Sequence, residues 1–137
     1  MTSILTFALA AALTVQSSVA TPDAIESTPE APAISSLDQL PIEQSAAPRC
    51  AIAFALVSRW QKADDARGAD YIDMEANGGR EFFVQTLAAL MDQAELDQDD
   101  VIELAMSEVN KLDNDNGAER VEAMMPACLL MKEAAQL

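Results

Sequence analysis

RCAIAFALVSRW, residues 49–60, reads as one side of a repeating pattern laid over another. Cys50, Phe54 and Val57 recur at i, i+4, i+7, while Ile52, Leu56 and Trp60 recur at i, i+4, i+8. Both are helical spacings, and together they make a helix apolar over much of its circumference. Such a helix must be covered by others, so it is expected at the centre of its domain. Pro48 suits its first turn, and Gly68, just after Arg67, suits its stop.

Downstream, three further helices are expected. The stretch ADYIDMEANGG is a loop ending in a Gly-Gly break. A second helix follows from about Arg80, with Phe83, Leu87, Leu90, Met91 and Ala94 on one buried face. A third starts at Asp97, which caps it, with Asp99 and Asp100 where the positive end of the helix dipole favours carboxylates. Val101, Leu104, Ala105 and Leu112 face one way on it, with Ile102, Met106 and Val109 alongside. DNDNG, residues 113–117, is a turn. The last helix carries Met124, Cys128, Met131 and Ala135 on a stripe, with Pro126 either kinking it or marking its first turn. Strict apolar/polar alternation is missing and β-branched residues are sparse, which speaks against a sheet. The fold class is therefore all-α: a small four-helix antiparallel bundle over residues 49–137.

Upstream the texture changes. Residues 4–15, ILTFALAAALTV, form an uncharged apolar run of signal-peptide length, too short to cross about 30 Å of hydrocarbon. SSVA places Ser18 and Ala20 at an A-x-A-like cleavage site, so residues 1–20 are expected to be a signal peptide and the mature chain to begin at Thr21. No Lys or Arg precedes the apolar run, which departs from the usual pattern. Residues 21–48 hold five of the six prolines and five acidic groups, without a basic or aromatic residue. They read as a disordered acidic linker. A short apolar set, Ile34, Leu37, Leu40 and Ile42, interrupts it and is the part suited to docking.

The chain has two cysteines, Cys50 and Cys128, each on an apolar stripe and in no C-x-x-C arrangement. In an exported chain an even count points to a structural disulfide. Closing a loop of about 78 residues would stabilise the fold by roughly 4.5 kcal/mol at most.

Several functional classes find no residues to carry them. The chain has no histidine, which removes Ser-His and Cys-His nucleophile pairs and the commonest metal ligand. The hydroxyls Ser58, Ser107, Thr86 and Tyr71 have no evident base beside them. Adjacent acids such as Asp64 with Asp65, or Asp99 with Asp100, read as solvated faces. The expectation is no enzyme, no catalytic residue, no cofactor and no metal site.

Two stretches resemble calcium loops in part. DMEANGGREFFV has Asp73, Glu75, Asn77 and Gly78 in ligand-like places, but Val84 stands where a bidentate Glu is needed. DNDNGAERVEAM, from Asp113, has its glycine one place early and ends on Met124. Plain turn chemistry is the expected reading of both, with weak calcium binding as the alternative.

With 8 Lys plus Arg against 23 Asp plus Glu, the net charge is −15. Such a surface repels phosphate backbones, so no nucleic-acid partner is expected, and a helix-turn-helix reading of LMDQAELDQDDVIEL fails on the acids of its second helix. Nor is stable membrane insertion expected after signal removal. What remains is an exported, periplasmic or extracellular, non-catalytic interaction protein. Its partner would be a protein, a basic one being favoured by charge, bound in the manner of an inhibitor, immunity protein or chaperone. The alternatives are an ion-binding helical module and an accessory subunit of an envelope assembly. In broad organisation the chain is similar to the small all-helical acid-stress chaperones of the periplasm, which also use one disulfide. That likeness is one of architecture, carried by no motif, and implies the holding of unfolded clients.

Overall fold

The computed structural model describes residues 33–137; the expected signal peptide and the linker up to residue 32 lie outside that range. Four helices run in order, α1 Ile42–Lys62, α2 Gly79–Ala94, α3 Gln98–Leu112 and α4 Gly117–Ala134, with two 3-10 turns at Leu37–Gln39 and Ala66–Gly68. Among the described residues there is no strand.

α1 is the central helix, as its broad apolar pattern requires. It packs against α2, α3 and α4, while α2 also meets α3 and α3 meets α4. From Cys50 to Val57 every residue but Ala55 is buried, and Trp60 closes the run. Glu43 in the first turn and Arg59 and Lys62 in the last complement the dipole.

Both ends of α1 differ from the sequence reading. The helix begins at Ile42, two turns before Arg49. Pro41, held extended, precedes it and its carbonyl accepts the amides of Gln44 and Ser45, both at 3.0 Å. Pro48 is buried inside the helix and not in its first turn; tertiary packing carries the helix through the hydrogen bond that Pro48 cannot make. At the other end α1 stops at Lys62. Asp64 takes the left-handed conformation, φ 53°, and the amides of Asp64 and Asp65 bond back to Gln61 and Trp60 at 3.2 and 2.9 Å. That is a Schellman ending with aspartate in the place glycine usually takes. Gly68 does not stop the helix. It lies in the second 3-10 turn, where a Cβ would come within 2.8 Å of the Gln61 nitrogen.

The linker expected over 21–48 is ordered in its described part. Ser36 caps the first 3-10 turn in a capping box with Gln39. Leu37 is 1 % exposed, with Ile34 and Leu40 packed beside it, and Ile42 is left outward at 63 % exposure. Composition pointed to disorder because prolines and acids dominate it. Three aliphatics packed on the core, and Asp38 held by Arg49 and by Lys111, outweigh that.

α2 lays Phe82 edge-on against Phe54, ring centroids 5.4 Å apart. Phe82 and Leu90 are its deep side chains, while Phe83, Leu87, Met91 and Ala94 are half-buried. α3 begins as expected, Asp97 and Asp100 forming a reciprocal capping box at 2.9 and 3.0 Å. Val101, Leu104 and Leu112 are buried, but Ile102 and Met106 are more than half exposed.

On α4 the buried stripe is Val121, Met125, Cys128 and Lys132, rotated from the expected Met124, Met131 and Ala135. The Lys132 stem packs inward while its ammonium reaches the Leu137 carbonyl at 2.8 Å. Pro126 lies inside α4 on its exposed side, so the Glu122 carbonyl it leaves without a helical donor faces water. Gly117 opens the helix because a Cβ there would overlap the Leu112 carbonyl.

Cys50 and Cys128 form a disulfide between α1 and α4, with Cα atoms 5.1 Å apart. Both sulfurs belong to the core. Replacing both cysteines with alanine is expected to lower unfolding free energy by about 2–5 kcal/mol; a denaturant midpoint unchanged from the parent would refute it. Leu37→Ala is expected to cost roughly 2–5 kcal/mol, measured the same way. Loss of only a few tenths would mean that the 33–40 segment is not part of the folding unit.

Candidate functional site

α1 is covered along most of its length by other helices, but beyond Ser58 its cover is a loop. There the C-terminal turns of α1 and the loop from Asp64 to Glu75 surround an open cleft of about 490 Å³. Gln61 builds its floor. This side chain donates from Nε2 to the carbonyls of Gly68, Tyr71 and Ile72, the last at 2.9 Å, and its Oε1 accepts the Met74 amide at 3.1 Å. A single amide thereby fixes the path of the loop, and Met74 is buried beneath it. Gly79 then passes close enough to the Met74 carbonyl, 2.6 Å from where a Cβ would sit, that no larger residue fits.

The lip of the cleft is acidic: Asp64, Asp65, Asp73 and Glu75 line it, with Lys62, Ser58 and Tyr71. These carboxylates are not equivalent. Asp65 caps the second 3-10 turn and takes Arg67 through both oxygens, at 3.1 and 2.6 Å. The Arg67 side chain, and then its amide, hold the Asp65 carboxyl down at about 2. Asp73 accepts the amides of Glu75 and Ala76, each at 2.9 Å, and Asn77 Nδ2 bonds to the Asp73 carbonyl at 2.7 Å. Glu75 pairs with Lys62 at 3.0 Å. Burial raises the Tyr71 hydroxyl pKa, helped by the charges of Glu122 and Asp70.

A smaller cavity of about 170 Å³ adjoins the cleft, lined by Phe54, Ala55, Gly79, Phe83 and Arg80. Ser58, Lys62 and Glu75 line both.

Behind the cleft an ion network ties three elements. Arg59 and Arg67 both reach Asp113 at the end of α3, and the Arg67 guanidinium lies 4.7 Å from the Trp60 ring centroid. At Asp113 burial pushes the carboxyl up. The hydrogen bond and charge of Arg59, the nearby Trp60 indole and the charge of Arg67 outweigh it and hold the pKa below its ordinary value. Trp60 Nε1 itself is buried without a hydrogen bond of good geometry.

The sequence-predicted positions fall as follows. Cys50 and Cys128 meet in the disulfide, away from the cleft lining. In the first calcium-like stretch, Asp73 is engaged by backbone amides and Glu75 by Lys62. In the second, Asp113 is engaged by two arginines, and Asn114 and Asn116 stabilise the turn. Among the described residues no three acidic or sulfur side chains converge as a cation cage would require, and no helix is long and apolar enough to cross a membrane. Of the hydroxyls, Ser58 and Tyr71 reach the cleft. The sequence reading does not include the cleft; its signal is Gln61, an amide directly after the apolar run that ends at Trp60, followed by a loop that closes on Gly78 and Gly79. No protein family, curated protein or solved structure matches the chain, so the likeness to acid-stress chaperones gains no support from comparison.

Three carboxyls with lowered pKa, Asp38, Asp65 and Asp113, link stability to acid. For Asp65 the contribution is complete above the ordinary aspartate value of 3.8 and is lost as pH falls through about 2. Asp65→Asn is therefore expected to flatten, without abolishing, the fall of the urea midpoint between about pH 4 and pH 2. A variant with the parent's slope would show that Arg67 does not hold Asp65 in solution.

Proposed function

We propose that the protein is exported, is not an enzyme, and acts by binding a protein partner of basic charge. One observation carries this reading: all the Lys and Arg side chains but Arg80 are engaged by groups of the same chain. Arg49, Arg59, Lys62, Arg67 and Lys111 each hold a carboxylate of the same chain. Arg120 and Lys132 donate to backbone carbonyls. Most carboxylates of the described residues are exposed, several of them around a cleft. A surface of one sign steers partners of the other sign toward it.

Export is supported by the signal-like start and by a core disulfide, a bond that persists in oxidising compartments. The absence of catalysis is supported by the chemistry of the cleft: its hydroxyls lack a neighbouring imidazole, since the chain has none, and its Asp65 and Asp73 are committed to turn geometry. The holding of unfolded clients is a second reading. It is favoured by Val84, Ile102 and Met106, all more than half exposed on α2 and α3.

The test is affinity purification from the native compartment without reductant, followed by titration of the recovered protein. A basic partner in its folded state, bound more weakly as salt rises, is the expected result. A partner held equally well at high salt would overturn the electrostatic reading, and suppression of aggregation of a denatured client would favour the second.

A further inference from the structure

The cleft and the cavity beside it share Ser58, Lys62 and Glu75, so they are one groove with a bar across it. The bar is the Lys62–Glu75 ion pair, 3.0 Å long, with side chains 63 % and 56 % exposed. It joins the last turn of α1 to the loop before α2. Pairs this exposed add little to stability, because water solvates both partners well when they part. The fold therefore loses little if Lys62 lets go.

The two sides of the bar differ in chemistry. On one side lie Asp64, Asp73 and Tyr71. On the other the walls are Phe54, Ala55, Gly79 and Phe83, space for one large apolar side chain, with Arg80 at the margin. A ligand cation placed near Arg80 would be repelled, whereas beside Glu75 and Asp73 it is attracted. The groove is thus polar in a defined direction.

We propose that this groove binds a basic segment of the partner protein. A lysine or arginine of the segment takes Glu75 over from Lys62, and an adjacent apolar side chain enters the chamber between Phe54 and Phe83. Lys62 is an intrachain placeholder for the partner's cation. This rests on the reading of the protein as a binder of basic partners and adds where, and by what exchange, binding occurs.

The two members of the ion pair then act in opposite directions on binding, which a structural role for the pair would not produce. The full disulfide-bonded chain is titrated by nuclear magnetic resonance with acetyl-phenylalanyl-arginine amide. Analogues carrying glutamate in place of the arginine, or glycine in place of the phenylalanine, serve as controls. Glu75→Gln is expected to weaken binding, and Lys62→Ala to tighten it by up to about fivefold, the scale of an exposed pair. The charge-matched Arg120→Ala, outside the groove lining, should tighten it less. Both analogues should bind more weakly than the parent peptide. Shifts of the same sign in Glu75→Gln and Lys62→Ala, or equal effects of Lys62→Ala and Arg120→Ala, would overturn the placeholder. Failure of the peptide to bind a chain that still takes up a folded basic partner would overturn the groove alone. Failure of both would overturn the reading of the protein as a binder of basic partners as well.

Discussion

A helix that is apolar over most of its circumference has to be roofed over most of it, and α1 imposes that condition on the elements around it. Cys50, Ala51, Ile52, Ala53, Phe54, Leu56, Val57 and Trp60 are all buried. Full burial of each larger side chain contributes about 1.5–3 kcal/mol relative to exposure, so their cover dominates the favourable side of folding. α2, α3 and α4 each bring a narrower stripe, and the 33–40 segment closes what they leave open. The disulfide between Cys50 and Cys128 fixes the last helix to the central one, so that α4, with Pro126 inside it, is held against α1 by covalent as well as packing forces.

Several of the cations clamp one element to another. Asp38 of the first 3-10 turn is held by Arg49 of α1 and Lys111 of α3, and Lys111 also reaches Ser36 at 2.8 Å. Asp113 at the end of α3 is held by Arg59 of α1 and by Arg67 of the second 3-10 turn. Glu108 is the buried member of the first network, 3.6 Å from Arg49 Nε and 3.3 Å from Lys111 Nζ. A buried carboxylate without cations would cost several kcal/mol. These pairs are mostly too exposed to contribute much stability; their effect is to fix register between elements that hydrophobic burial alone would leave free to slide. The same placement pairs much of the positive charge with carboxylates of the chain itself.

What was legible in the sequence follows from what periodicity measures. The centrality of α1 could be read because its apolar residues fill both stripes, and the start of α3 because Asp97 and Asp100 form a local motif. The pairing of Cys50 with Cys128 could be read because each had a place on a buried stripe. Helix boundaries failed where a tertiary contact outweighed a local rule. Pro48 looked like a first-turn residue, yet packing carries the helix through it. Gly68 looked like a stop, yet its smallness serves a close approach to Gln61 and Trp60. On α4 the stripe was misplaced because alanines and methionines lie on several faces, leaving the rotation to be set by the crosslink and by Lys132. The groove was invisible because it is made by residues from α1, the loop and α2, whose proximity depends on one glutamine side chain turning toward three carbonyls.

Stability and the candidate site are thereby assigned to different halves of a single helix. Cys50 lies in the N-terminal half of α1, whereas Ser58, Gln61 and Lys62 lie about 12–18 Å further along its axis. The crosslink restrains the half that four-helix packing already covers. The other half is roofed by a loop hung on Gln61 and carries the exposed Lys62–Glu75 pair, on which the proposed exchange rests. A loop fixed by its backbone hydrogen bonds to the half-buried Gln61 amide can keep its shape whichever partner the exposed Glu75 side chain takes. That division explains how a chain of this size can have a rigid centre and still present a surface whose charges are open to substitution from outside.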